Sequence, residues 1–148
     1  MRASGARKER WILLAGRLGL AGIFVFAAIA KLRQPWQLFT MTIDSYQMNL
    51  PIGMVNFLAR VLPWFELALG AALLLGWQLR WFATLSSLVL AAFFGVMLRA
   101  YFKGLVIDCG CFGPGEHLGP KTLLRDGSLF VASALVTWGA FRAARTRS

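Results

Sequence analysis

Four long apolar stretches, separated by shorter polar segments, dominate the chain. They run over residues 11–30, 57–77, 81–102 and 122–141. Each is close to the ~20 residues that an α-helix needs to cross a lipid bilayer. Helices are the expected form, because lipid cannot satisfy the open backbone groups of irregular structure. The pattern therefore predicts an all-α, integral membrane four-transmembrane-helix bundle that forms a single domain over residues 1–148.

The segment between the first two stretches has a pattern of its own. Apolar and aromatic side chains recur there at helical spacing, at Trp36, Phe39, Ile43 and Tyr46, and polar residues fall between them. Pro35 suits the first turn of a helix. We therefore expect an amphipathic helix that lies in the membrane interface in the first outer loop.

Composition agrees with a membrane protein. Hydrophobic residues make up 58% of the chain and charged residues 15%, whereas a soluble domain carries about a quarter charged residues. The net charge of +10 does not indicate nucleic-acid binding, because the basic residues lie mainly in the tails and at the ends of apolar stretches. Such positions are explained by lipid headgroups and by the positive-inside rule. The lipid bilayer is therefore an expected partner, and nucleic acid is not.

Arginine-rich tails indicate the orientation. With four spans, both tails lie on one side, which the positive-inside rule makes cytoplasmic. Several cations nevertheless fall on the outer side: Lys31, Arg33, Arg60, Lys103 and Lys121. Alternatively the first stretch is a cleaved signal peptide ending at Ala28-Ile29-Ala30, although its apolar region is longer than the usual ~7–15 residues. We expect a multi-pass protein of a bacterial inner membrane, with cytoplasmic termini and an extracytoplasmic cysteine loop.

Cys109 and Cys111 are the only cysteines, and they flank Gly110 in the loop before the fourth stretch. Their α-carbons lie at most ~7 Å apart, close to the disulfide window of roughly 4.4–6.8 Å. A small, strained disulfide would be readily reduced, so redox work is the favoured interpretation over a permanent staple or two ordinary buried thiols. A zinc site that adds His117 and Asp108 lacks the usual ligand spacing, and we expect no metal.

An ionisable residue inside a span is costly and suggests function. Glu66 lies about five residues after Val61, where the most apolar part of the second span begins, and just after Pro63, which should kink the helix. Lys31 and Arg99 are its candidate partners, and the three could form a polar, cofactor-binding pocket beneath the cysteine loop with Glu66 as a proton carrier. A plain packing salt bridge is the alternative. Arg17 is expected to snorkel to the inner interface.

These motifs together resemble the MauE/DoxX group of small four-helix, redox-associated membrane proteins. The resemblance covers residues 12–141 and is most specific at Asp108-Cys109-Gly110-Cys111-Phe112-Gly113. It implies a MauE/DoxX-like domain and redox work. MauE is linked to methylamine utilisation, where it accompanies a thioredoxin-like protein in maturing a disulfide-rich dehydrogenase. DoxX relatives are linked to membrane redox complexes and to quinone-coupled chemistry, which makes a quinone a possible cofactor.

The expected function is therefore electron or disulfide transfer through Cys109 and Cys111, as a component of a thiol–disulfide oxidoreductase system. The expected partner is a thioredoxin-like periplasmic protein or a redox enzyme complex. Two alternatives stay open. One is a non-catalytic assembly subunit with a structural disulfide, and the other is a small transporter that uses Glu66. The broken second helix favours a transporter, but paired half-helix motifs are missing from the sequence.

The orientation can be tested with topology reporters. Because the basic tails anchor both ends in the cytoplasm, a reporter fused after residue 148 should be active only on the cytoplasmic side. A reporter inserted after residue 116 should be active only outside. Cytoplasmic signals from both positions would contradict the four-span arrangement.

Overall fold

The architecture comes from a computed structural model that describes residues 2–112 and 115–146, with only the backbone described for residues 2–4. These residues contain five helices: α1 (Arg2–Leu32), α2 (Trp36–Ser45), α3 (Ile52–Leu75), α4 (Leu79–Phe102) and α5 (Pro120–Arg145). Four of them, α1, α3, α4 and α5, are long and apolar enough to cross a membrane. The predictions of a four-span bundle and of the short amphipathic helix α2 are confirmed.

Turn residues explain where the helices begin and end. Pro35 and Pro51 precede α2 and α3, and Pro120 occupies the first turn of α5, where its missing N–H costs no hydrogen bond. Gly76 ends α3 with a φ of +70°, a conformation that glycine adopts without steric cost. Helix α3 continues through Pro63.

The bundle is built from two closely packed helix pairs, α1 with α3 and α4 with α5. Leu20, Phe24 and Leu73 belong to the core cluster between the helices. A Cβ at Gly70 of α3 would lie 2.8 Å from Cγ2 of Val25 in α1. Small residues at such a position let two membrane helices approach closely, so Gly70 contributes to the tight α1–α3 contact.

Helix α2 lies across one end of the bundle, which we call the cysteine end. Its buried residues Phe39 and Ile43 pack against Val55 and Ala59 of α3. The loop formed by residues 103–119 lies at the same end. Two backbone hydrogen bonds draw this loop into a hairpin, from the Leu118 N–H to the Ile107 carbonyl at 2.8 Å and from the Cys109 N–H to the Glu116 carbonyl at 2.7 Å. Gly113, the last residue of the cysteine motif, is outside the described residues.

Candidate functional site

The backbone turn at Gly110 brings the two thiols together. Gly110 has a φ of +69°, a left-handed conformation that favours glycine. A Cβ at this position would also collide with Cγ2 of Thr42 in α2. The Sγ atoms of Cys109 and Cys111 and a carboxylate oxygen of Asp126 all lie within 4.8 Å of one another. Both cysteines are free thiols in the structure.

Helix α2 covers the cysteine pair. Cys109 is 3% exposed and packs with Tyr46, Met97 and Ala100, while Cys111 is partly buried. The Tyr46 hydroxyl donates a 2.7 Å hydrogen bond to the Cys109 carbonyl. The sequence predicted a loop between two spans, and the structure places its thiols beneath α2, because one face of this helix packs onto the loop. Of the pair, Cys111 is the more accessible thiol.

Two residues that the sequence analysis left without a role touch the thiols. Met97 of α4 places its Sδ 3.9 Å from the Sγ of Cys109 and 3.8 Å from the Sγ of Cys111. Asp126 of α5 places Oδ2 3.7 Å from the Sγ of Cys109. The signal for Asp126 was its position in an apolar helix, where a carboxylate is costly. Met97 carried no such signal, since methionine is an ordinary filler of hydrophobic cores.

Asp126 is held in place by Arg125. The Arg125 Nε donates to Oδ1 of Asp126 at 3.2 Å, and Nη1 donates to Oε1 of Glu116 at 2.6 Å. The guanidinium also lies over the ring of Phe112, 4.5 Å from its centroid. Arg125 therefore ties the start of α5 to the cysteine loop at Phe112 and at Glu116.

The two thiols have unequal acidity. A hydrogen bond from the Cys111 side chain lowers the pKa of Cys109, and Arg125 acts in the same direction against the opposing effects of burial and Asp126. The same hydrogen bond, together with burial, raises the pKa of Cys111. Cys109 is therefore the first of the pair to become a thiolate. The nearby cation that favours this thiolate is Arg125.

Lys31 and Glu66 form a buried ion pair that joins α1 to α3. The Lys31 Nζ lies 2.8 Å from both carboxylate oxygens of Glu66, and the side chains are only 3% and 4% exposed. The ammonium also lies 5.6 Å from the ring centroids of Phe39 in α2 and Phe93 in α4. This cation of α1 thus contacts three other helices in the interior of the bundle.

A cavity of about 40 Å³ connects this ion pair with the cysteine loop. Its lining includes Lys31 and Glu66 as well as Cys111 and Asp126. A space of this size admits water. Arg99, the other predicted pocket cation, is exposed and is not among the described residues that line the cavity. It follows Met97 by two positions, about 200° around a helix of 3.6 residues per turn, and so it faces away from the thiols.

Comparison with known proteins decides the family. The family model described as methylamine utilisation protein MauE matches residues 9–139, which is most of the chain. The chain belongs to the MauE family. The predicted resemblance to MauE is thereby confirmed, whereas the DoxX part of that resemblance stays a prediction. Searches of curated proteins and of solved structures returned no match.

The remaining candidates of this MauE-family chain are His117, Asp108 and Arg17. His117 is 78% exposed along its side chain and pairs through Nδ1 with Asp108 at 3.1 Å. Neither residue belongs to the cluster of Cys109, Cys111 and Asp126, so the hypothetical zinc set is not assembled. Arg17 lies beside Gly76, and its buried Nε makes no hydrogen bond with a described residue.

The ion pair can be tested by removing one or both charges. Glu66→Leu leaves the Lys31 ammonium buried without a partner, which costs about 3–5 kcal/mol of unfolding free energy. Glu66→Gln keeps the shape and part of the hydrogen bonding, so its unfolding free energy should fall less than that of Glu66→Leu. Adding Lys31→Met to Glu66→Leu should restore most of the stability, because no buried charge remains. Thermal unfolding in detergent measures these differences.

The same variants separate a proton carrier from a structural bridge. A proton-carrying Glu66 predicts that both Glu66→Gln and Glu66→Leu slow the redox cycling of the cysteines, whereas a structural bridge predicts loss mainly in Glu66→Leu. Unchanged stability and cycling in both variants would leave Glu66 with neither role.

Proposed function

We propose that this chain is the membrane component of a thiol–disulfide exchange system, in which Cys109 and Cys111 alternate between disulfide and dithiol. The observation that carries the proposal is the close approach of the two thiols, within 4.8 Å, at a glycine turn that has no steric room for another residue. The pKa of Cys109 is lowered and the pKa of Cys111 is raised, which supports different roles for the two sulfurs in the exchange.

The environment of the thiols favours transfer of a disulfide from this chain to its partner. A disulfide is a strong oxidant when its reduced form is stabilised. Here the hydrogen bond from Cys111 and the charge of Arg125 stabilise the Cys109 thiolate. Electrons should therefore flow from a partner dithiol into the Cys109–Cys111 disulfide.

The exchange proceeds in two balanced steps. A thiolate of the partner attacks the sulfur of Cys111, the more accessible cysteine, which forms a mixed disulfide and releases Cys109 as the lower-pKa leaving group. The second partner thiolate then attacks the partner sulfur of the mixed disulfide and releases Cys111. The partner loses two electrons and two protons, and this chain gains them. A thioredoxin-like protein outside the cytoplasm fits the partner's role.

The Asp126 carboxylate is placed to handle the protons. Its Oδ2 lies 3.7 Å from the Sγ of Cys109, and the residue lines the same cavity as Cys111, Lys31 and Glu66. Water in that cavity could link the thiols to the ion pair. We assign Asp126 as the nearest proton acceptor, and Glu66 as a candidate relay deeper in the bundle.

Reoxidation requires a two-electron acceptor, and a membrane quinone fits this role. A groove of about 600 Å³ opens on the side of the bundle between α1 and α5, and its lining includes Gly19, Gly22, Phe26 and Phe112. Its volume is within the range of pockets that hold small organic ligands, roughly 300–1,000 Å³. Phe112 lines both the groove and the cavity that reaches Cys111. Its side chain would therefore lie between a quinone in the groove and the Cys111 thiol. One quinone and the dithiol would give one quinol and the disulfide.

Among the alternatives, transport has little support. Glu66 is fully paired with Lys31, and a cavity of about 40 Å³ is too small for a solute larger than a few waters. The competing hypothesis is a purely structural disulfide, and the experiments below distinguish it from an exchange-active pair. Family membership and the arginine-rich tails support a place in the inner membrane, where the exchange would help mature a periplasmic enzyme such as methylamine dehydrogenase.

Single cysteine variants test the exchange. Cys109→Ser and Cys111→Ser should each abolish disulfide transfer, because a single cysteine cannot form the internal disulfide that is transferred. A partner variant that lacks its second cysteine should be captured as a mixed disulfide on Cys111 of the oxidised wild-type chain, because the partner's second thiolate performs the release. Alkylation of intact cells, followed by mass measurement of the peptide that contains Cys109 and Cys111, reports how much of the pair is oxidised. In the wild type this fraction should change with the redox potential of the medium. The double serine variant is the control. A pair that stays oxidised at every poise and traps nothing would support a structural disulfide instead.

Gly22 and Gly95 offer a matched pair of variants for the quinone groove. No described heavy atom outside the helix's own backbone lies within 4 Å of a Cβ at either position, but of the two only Gly22 lines the groove. Gly22→Leu should slow quinol formation from decylubiquinone by roughly tenfold or more, and Gly95→Leu should not change it. The assay mixes anaerobically reduced protein in detergent with the quinone and follows quinol and disulfide. Equal rates in both variants would remove the groove from the mechanism.

A further inference from the structure

Three sulfur atoms lie together at the cysteine end. The Sδ of Met97 is 3.9 Å from the Sγ of Cys109 and 3.8 Å from the Sγ of Cys111, and the two Sγ atoms lie within 4.8 Å of each other. Met97 is 1% exposed and Cys109 is 3% exposed. We call this group the sulfur triangle. Thiol–disulfide exchange uses only the two cysteines of the sulfur triangle. That chemistry does not explain why Met97 lies beside them.

The dimensions of the sulfur triangle match those of a metal centre. With a metal–sulfur bond of ~2.3 Å, three sulfurs arranged in a plane around one ion would be separated by about 4.0 Å. The two edges from Met97 are 3.9 Å and 3.8 Å. An ion could therefore bind at the centre with little movement of α4 or of the cysteine loop.

The ligand types select the metal. Two thiolates and a thioether are three soft ligands, a set that suits Cu(I), whereas Zn²⁺ is almost always held by four ligands in a tetrahedral arrangement. The carboxylate of Asp126, a hard ligand beside Cys109, is already engaged by Arg125, whose Nε and Nη2 lie 3.2 Å and 3.5 Å from its two carboxylate oxygens. The three sulfur atoms are therefore more available to a metal ion than the carboxylate oxygens of Asp126.

We propose that Cys109, Cys111 and Met97 form a Cu(I)-binding site in the reduced protein. Binding displaces the two thiol protons and adds no electron transfer, since copper enters as Cu(I). Arg125, whose charge already favours the Cys109 thiolate, offsets the net negative charge of the copper–dithiolate group. Bound copper occupies both thiols, so it would withdraw them from exchange until the metal leaves.

Copper competition tests the site on the full-length protein in detergent, reduced and kept anaerobic. Cu(I) is supplied as its bathocuproine disulfonate complex, and loss of the complex colour reports transfer to the protein. The wild type should take up one Cu(I) per chain. Met97→Leu, a volume-conserving change, should weaken binding by roughly 10- to 100-fold, and Cys109→Ser or Cys111→Ser should abolish it. Met41→Leu is the control, because Met41 is 67% exposed and outside the sulfur triangle.

Three results would overturn the proposal: no Cu(I) uptake by the wild type, equal affinities of Met97→Leu and the wild type, or preferential binding of Zn²⁺ that Asp126→Asn removes. X-ray absorption of the loaded protein should show only sulfur neighbours, and a shell of nitrogen or oxygen would also contradict it. The test is independent of the proposed redox function. Met97→Leu keeps both thiols and should still reduce decylubiquinone, so a failure of copper binding and a failure of thiol oxidation are read separately.

Discussion

The buried ion pair of Lys31 and Glu66 is the constraint on which the arrangement of the helices depends. Both side chains are almost fully buried, and an unpaired charge at that depth in a membrane protein is costly. Helices α1 and α3 must therefore keep a register that places the ammonium against both carboxylate oxygens. The same ammonium faces Phe39 of α2 and Phe93 of α4. The pair thus fixes the wall of the cavity that reaches Cys111.

Much of this fold could be predicted from the sequence, because its signals are local. Stretches of about 20 apolar residues mark spans by length alone, and the spacing of Phe39 and Ile43 shows the buried face of α2. Glu66 was recognisable as a paired group for the same reason, since a carboxylate in an apolar run needs a partner. The choice between Lys31 and Arg99 required the structure, because it depends on which face of α4 turns inward.

The detailed surroundings of the thiols could not be predicted. Cys109 and Cys111 were evident from their spacing, but Tyr46 follows the end of α2, Met97 lies in α4 and Asp126 lies in α5. Contacts between residues so far apart in sequence follow from the packing of whole helices. The cover of α2 over the loop is the clearest example. An amphipathic helix predicts an interface, but it does not show which protein surface will lie beneath it.

The surroundings of Gly110 limit which sequences can keep this site. Its backbone requires a left-handed conformation, and its Cα hydrogen faces Thr42. Gly115 shares the positive φ, at +90°, but no described heavy atom lies within 4 Å of a Cβ there. Among the described residues, substitution at position 115 therefore meets no neighbouring side chain and adds mainly backbone strain. Substitution at position 110 meets both backbone strain and a neighbouring helix. A larger residue can therefore replace Gly110 only if the residue at position 42 changes as well.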